Sequence, residues 1–165
     1  MNSVPVVEGQ VCCRLETPFD QPFLFELFKL SRLPMLADAG WSPEQLNLFL
    51  QSQFEIQKRY FQHAYPNPEF LIIQWQDQPV GRLYLAHFLH EIRLIDIALL
   101  PAFQGCGIGS RVLKNVLAEH ASTNKPISLH VEKHNPALHL YLRLGFKIVA
   151  DRELHWYMCT ETPTV

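Results

Sequence analysis

The sequence predicts a single mixed α/β domain over residues 1–165, with a central sheet of about seven strands and helices on both faces. Short turns join the apolar runs Phe70–Gln76, Val80–Leu89 and Ile92–Leu100, so these should pair as an antiparallel meander. Between Leu100 and the next run, Ile127–Lys133, lies a glycine turn and an amphipathic helix, and a crossover of that length makes the flanking strands parallel. A chain of 165 residues suits one domain that buries roughly two-thirds of its unfolded surface.

Taken in order, residues 1–10 read as a lead-in, followed by a first strand near Val11–Leu15. Phe19–Ser31 reads as a helix on the apolar stripe of Phe23, Leu24, Leu27, Phe28 and Leu30. It is expected to stop before Pro34, because the residue preceding a proline avoids the helical region, leaving Met35–Gly40 as a loop. Ser42-Pro43-Glu44-Gln45 combines an N-cap serine, a first-turn proline and a capping-box glutamine, and opens a second helix to about His63. Pro66-Asn67-Pro68 closes it, and the meander follows with a turn expected at Asp77-Gln78-Pro79. The next helix, about Gly107–Ala121, buries Ile108, Val112, Leu113, Val116 and Leu117 on one face and breaks at Asn124-Lys125-Pro126. After the parallel strand Ile127–Lys133, Asn135-Pro136 starts a helix through Leu138, Tyr141 and Leu144, stopped by Gly145. Phe146–Arg152 and Leu154–Thr160 finish the sheet, giving the order β-α-α-β-β-β-α-β-α-β-β.

Composition narrows the function classes. Hydrophobic content of 48% with 18% charged residues is that of a globular chain, and the net charge of −2 carries no basic stripe for nucleic acid. No apolar run approaches the roughly 20 residues of a membrane span. Met1-Asn2-Ser3-Val4-Pro5 has no basic region leading into an apolar one, and no C-x-x-C pair links Cys12, Cys13, Cys106 and Cys159. A reducing cytoplasm is the expected location. The histidines show no H-E-x-x-H spacing, so no metal is expected.

The chemistry is concentrated in Gln104-Gly105-Cys106-Gly107-Ile108-Gly109-Ser110, between strand and helix. Glycines at alternate positions strip one side of the turn of Cβ atoms, so backbone N–H groups at a helix N-terminus can close on a diphosphate. A P-loop would need lysine where Gly109-Ser110-Arg111 has none, and G-x-G-x-x-G fails at Ser110 or Val112. Gln104, Gly107 and Gly109 instead match Q/R-x-x-G-x-G/A, and on this motif the chain resembles the GNAT superfamily of N-acetyltransferases. A second stretch agrees with the resemblance: Val131-Glu132-Lys133-His134-Asn135-Pro136-Ala137-Leu138-His139-Leu140-Tyr141, then Leu144-Gly145-Phe146. The element order agrees as well, while residues before the meander resemble the family only in their two-helix pattern.

The resemblance implies a GNAT fold over the whole chain, acetyl-CoA as co-substrate, and a primary amine, small-molecule or protein-borne, as acceptor. It implies that the backbone of Ala98 and Leu99 pairs with the pantetheine arm in a slot where the strands ending at Leu100 and Lys133 splay. The amides of Gly105, Cys106, Gly107, Ile108 and Gly109 would hold the diphosphate, with the Ser110 hydroxyl adding a donor. Gln104 stands where the family often has arginine, and Arg111 or Lys114 can replace the lost charge. Asn135 is the expected N-cap of its helix, and by resemblance also a cofactor contact. Tyr141 matches the family's general-acid tyrosine; a phenol of pKa near 10 stays protonated at pH 7 and can donate to the departing sulfur.

An amine must attack in its neutral form. At pH 7 that costs a lysine-like amine roughly 4–5 kcal/mol but an α-amine of pKa near 8 only about 1 kcal/mol. His130, five residues before Asn135, is the favoured base and occupies the position where some protein N-terminal acetyltransferases of this pattern carry a glutamate. Glu91 and Asp96 are the other candidates. Asp96 interrupts an apolar strand, either as a base or as the partner of an arginine. A homodimer is compatible with the sequence. The alternative functions are a non-catalytic acyl-CoA-binding or regulatory module on this scaffold and a nucleotide-binding oxidoreductase, which would require a mostly parallel sheet.

Overall fold

The computed structural model of the chain describes residues 10–161, so the expected lead-in lies almost wholly outside the described residues. A seven-stranded sheet runs in the order β1-β2-β3-β4-β5-β7-β6. Its strands are β1 (Val11–Leu15), β2 (Pro68–Trp75), β3 (Gln78–His87), β4 (Ile92–Leu99), β5 (Ile127–Glu132), β6 (Lys147–Arg152) and β7 (His155–Cys159). Every neighbouring pair is antiparallel except β4 and β5, which run parallel across the helical crossover. That arrangement bears out the mixed α/β expectation and does not fit the mostly parallel sheet of a nucleotide-binding oxidoreductase.

Four helices cover both faces: α1 (Gln21–Leu36), α2 (Pro43–Ala64), α3 (Ile108–His120) and α4 (Ala137–Arg143). On one face α3 and α4 bury Ile108, Val112, Leu113, Val116 and Tyr141 against Leu83, Leu85, Leu94 and Leu129. On the other, α1 and α2 close Leu24, Phe28, Leu50 and Phe54 over Ile72. The start of α2 follows its sequence: Ser42 Oγ accepts from the Gln45 amide at 3.2 Å, and the Gln45 side chain accepts from the Ser42 amide at 3.0 Å.

Two local expectations are corrected. Helix α1 begins at Gln21, after a 3-10 turn at Pro18–Asp20, and runs through Pro34 to Leu36. Pro34 lies in the last turn, where its missing N–H forfeits one bond, and Leu33 and Leu36 pack into the α1–α2 cluster around it. The β2–β3 turn centres on Gln76 and Asp77, at φ +49° and +63°, rather than on Pro79, which stands inside β3 opposite Gln74. Paired left-handed residues match the twist of a hairpin, so the turn closes before the proline.

Candidate active site

The site begins with a defect in the sheet. In the β3–β4 ladder Leu85 pairs with Leu94 and Tyr84 with Asp96, so Ile95 is an extra residue that bends β4. Parallel pairing with β5 covers only Ile92–Leu94 against Ile127–Leu129. Beyond it the strands part, and the β5-facing edge of β4 from Asp96 to Leu99 has no strand partner among the described residues. Gly81 permits the bend, since a Cβ there would lie 2.3 Å from the Ala98 carbonyl oxygen and 2.7 Å from Leu99 Cδ2. Sequence reasoning missed Gly81, although a lone glycine inside a strong strand pattern is itself a sign of close backbone approach.

At the end of β4 the chain tightens through a 3-10 turn at Pro101–Phe103 and enters α3. Gly105 and Gly107 take φ +71° and +91°, and a Cβ on either would meet nothing within 4 Å, so the cradle is open on that side. Gly107 is the N-cap of α3 and has no side chain to fill the helix's first donors; the first intrahelical bond runs from the Arg111 amide to the Gly107 carbonyl. The amides of Ile108, Gly109 and Ser110 precede it. Where α2 satisfies its own N-terminus with Ser42 and Gln45, α3 presents its donors and the positive end of its dipole to an anion. These residues fit a diphosphate. Buried Ile108 anchors the helix below the loop.

Two loop side chains are structural in this arrangement. Gln104 Nε2 donates to the Leu99 carbonyl at 3.0 Å and ties the loop to the end of β4. Cys106 Sγ donates to the Phe103 carbonyl at 3.0 Å. Asn135 Oδ1 accepts from the Ala137 amide at 2.9 Å, an Asx turn just ahead of α4, whose N-cap is Pro136 and not the expected Asn135.

The titratable candidates fall into two groups along β4, one at Asp96 and one at Arg93. Tyr141 is 7% exposed, 5.7 Å edge-on from Phe146, and burial together with the Asp96 charge pushes its phenol up to about 12. Asp96, just past the bulge, receives Arg82 Nε on Oδ2 at 2.7 Å. His130 on β5 is exposed, with Nδ1 3.4 Å from an Arg93 nitrogen and its ring 5.0 Å from that of Tyr157. Partial burial and the charges of Arg93 and Arg152 lower its pKa, which keeps the imidazole neutral at pH 7. Glu91 is engaged by Arg93 at 3.0 Å and Tyr157 at 2.9 Å. Burial works to raise its carboxyl, but hydrogen bonds from Ser128 and Tyr157 and the Arg93 charge hold it below the usual range. The structure thus brings Asp96 and Tyr141 into one another's field and sets His130 within the Arg93 cluster on β5. Among the described residues no three His, Cys, Asp or Glu side chains gather as a metal site, and no helix is long and apolar enough to cross a membrane.

Comparison with known proteins bears on the family and the fold. The model of the acetyltransferase (GNAT) family matches residues 31–146. The chain is 31% identical over 81 residues to the [ribosomal protein bS18]-alanine N-acetyltransferase of Haemophilus influenzae, a match covering 48% of this chain and 56% of that relative. The PaiA N-acetyltransferase of Thermoplasma acidophilum, crystallised with coenzyme A, superposes at a TM-score of 0.70 and 18% identity over 92% of this chain and 99% of that one. The ribosomal-protein-S18-alanine N-acetyltransferase of Escherichia coli does so at 0.66 and 16%, over 94% and 96%.

Proposed function

The chain belongs to the GNAT family of acetyltransferases, and on that premise we propose that it transfers an acyl group, acetyl first of all, from acyl-CoA to a primary amine by direct attack. The observation that carries the reading is the coincidence of a strand edge that no strand pairs among the described residues with a helix start that no side chain caps. The unpaired edge of β4 after Leu94 runs directly into the uncapped glycine cradle of α3. One end suits an amide-bearing arm and the other its diphosphate.

Acyl-CoA supplies an activated carbonyl carbon and a sulfur leaving group. The protein's part is to bind, orient and move protons. Gly105, Gly107, Ile108, Gly109 and Ser110 hold the diphosphate, Ala98 and Leu99 align the arm, and Gln104 acts by fixing the loop. The amine nitrogen forms the new C–N bond as the C–S bond breaks, losing a proton to a base while the sulfur is protonated.

Tyr141 donates toward that sulfur. With its pKa near 12 and a reference thiol near 8.5, complete transfer to the departed thiolate costs about 5 kcal/mol, so the phenol acts by hydrogen bonding to the developing charge and the thiolate takes its proton from solvent. His130 is the base we favour. Arg93 donates to its Nδ1, so the neutral ring carries its proton on Nε2, and proton acceptance requires the Arg93 contact to open. Asp96 is the second candidate.

The acceptor is read as an α-amine before a lysine, because deprotonation at pH 7 is cheaper by roughly 3 kcal/mol; the name of the Haemophilus relative supports the same order. A single domain in a reducing cytoplasm fits the continuous sheet and the free thiols of Cys12, Cys13, Cys106 and Cys159. Calorimetric titration with acetyl-CoA, followed by an amine and peptide panel assayed for CoA release, tests the reading. Binding with release for at least one acceptor is expected. Binding without release leaves a regulatory module, and no binding overturns the site.

A further inference from the structure

Arg82 is 6% exposed on β3, packed among the rings of Tyr84 and Phe61. Its guanidinium lies 4.7 Å from the Tyr84 ring and 5.7 Å from the Phe61 ring. A buried cation is costly to desolvate, and an apolar side chain of the same volume would serve the fold as well. The position of Arg82 therefore asks for another reason.

The reason lies in what its fork reaches. Nε binds Asp96 Oδ2 at 2.7 Å on the bent half of β4, while NH2 binds Gln57 Oε1 at 3.1 Å on α2. One planar group thus joins three elements, which a lysine ammonium on its flexible stem could not do with the same geometry. Asp96 Oδ1 accepts no hydrogen bond among the described residues, and the Asp96 side chain keeps 31% of its surface exposed. Gln57 also lines a groove between α1 and α2, with the apolar Met35, Ile56 and Tyr60 beside Arg32 and Gln53 along its walls. It lines the small neighbouring cleft beside Arg82 as well, so the groove and the carboxylate are joined through this one contact.

We propose that Arg82 is a positioning residue for the acceptor: it pins Oδ2 of Asp96, ties that carboxylate to α2 through Gln57, and so presents Oδ1 beside the parting of β4 and β5 to receive the acceptor's ammonium. The groove along α2 then admits the body of the acceptor, and its apolar walls select an acceptor with apolar groups next to the amine. This rests on the acyl-transfer reading and adds to it the acceptor's orientation.

Three variants test it. Arg82→Lys and Asp96→Asn should each lower kcat about tenfold or more while the acetyl-CoA Kd stays within about twofold, and the double variant should be no worse than the poorer single one. Gln57→Leu, which leaves the ion pair whole, should raise the acceptor KM about threefold or more without changing the acetyl-CoA Kd. Full kcat in Arg82→Lys, losses that multiply in the double variant, an unmoved acceptor KM in Gln57→Leu, or a cofactor affinity that falls in step with kcat would each overturn the proposal. A wild-type protein that binds no acetyl-CoA or acylates no amine fails earlier, and removes the acyl-transfer reading itself.

Discussion

Tyr141 sits almost wholly inside the core, and burial and the charge of Asp96 raise its phenol to about 12. Tyr141→Phe keeps the ring, its packing on Phe146 and the cavity volume, and removes only the donor. Turnover should fall about tenfold to hundredfold, with acetyl-CoA affinity unchanged in a calorimetric titration. His130 makes a different prediction, because its pKa is depressed. A base must be deprotonated, so with an acceptor that is itself neutral across the range kcat/KM should fall as pH drops through a value below the ordinary 6.5. Arg93→Gln removes one of the positive charges holding it down, and that acidic limb should move upward. A pH–rate profile with a weakly basic acceptor amine reads the shift directly; a limb that stays in place would transfer the base role to Asp96.

At the scale of elements, the N-terminus of α3 was legible in the sequence and the shape of β4 was not. Alternate glycines between an apolar strand and an amphipathic stripe have few uses, so Gly105, Gly107 and Gly109 declared the cradle without coordinates. The bulge at Ile95 left no such mark, because an extra residue in an apolar run alters register and not composition. Gln104 was legible as a motif position, but its bond to the Leu99 carbonyl depends on how the loop folds back. Gly109 offers a clean test of the cradle. It has ordinary helical φ, and a Cβ there would make only an ordinary 3.7 Å contact with Leu99 Cδ1. Gly109→Glu gains helix propensity and sets a carboxylate in the first turn, each worth about 0.5–1 kcal/mol to the helix. The melting temperature should hold or rise while acetyl-CoA affinity falls more than tenfold, a loss of over about 1.4 kcal/mol from a folded protein. A retained affinity would place the diphosphate elsewhere.

Across the whole molecule, two helix layers share one sheet: α3 and α4 pack on one face and α1 and α2 on the other, which the proposed function reads as a cofactor side and an acceptor side. On that reading the first layer has fixed spacings because diphosphate chemistry fixes them. The second has no motif, since its cavity depends on which aromatic and apolar side chains meet between α1, α2 and the sheet, and many sequences can do that. What joins this layer to the edge of the sheet is an ion pair invisible to periodicity. Arg14 on β1 holds both oxygens of Asp20 at 2.8 Å, and the Thr17 amide adds a third bond at the entry to α1. The Arg14 hydrogen bonds, opposed by burial, lower the Asp20 carboxyl from 3.8 to about 2. The carboxylate's contribution is therefore complete above its unfolded pKa and is lost as pH falls through about 2. Because the Arg14 side chain is 36% exposed, solvent screening reduces the worth of the contact to about 1–2 kcal/mol. Asp20→Asn should lower stability by about that amount at pH 7, and the difference from wild type should shrink as denaturant melts are repeated from pH 4 down to about 2. An offset that persists unchanged at the acid end would mean that Asp20 acts through the shape of the turn and not through its charge.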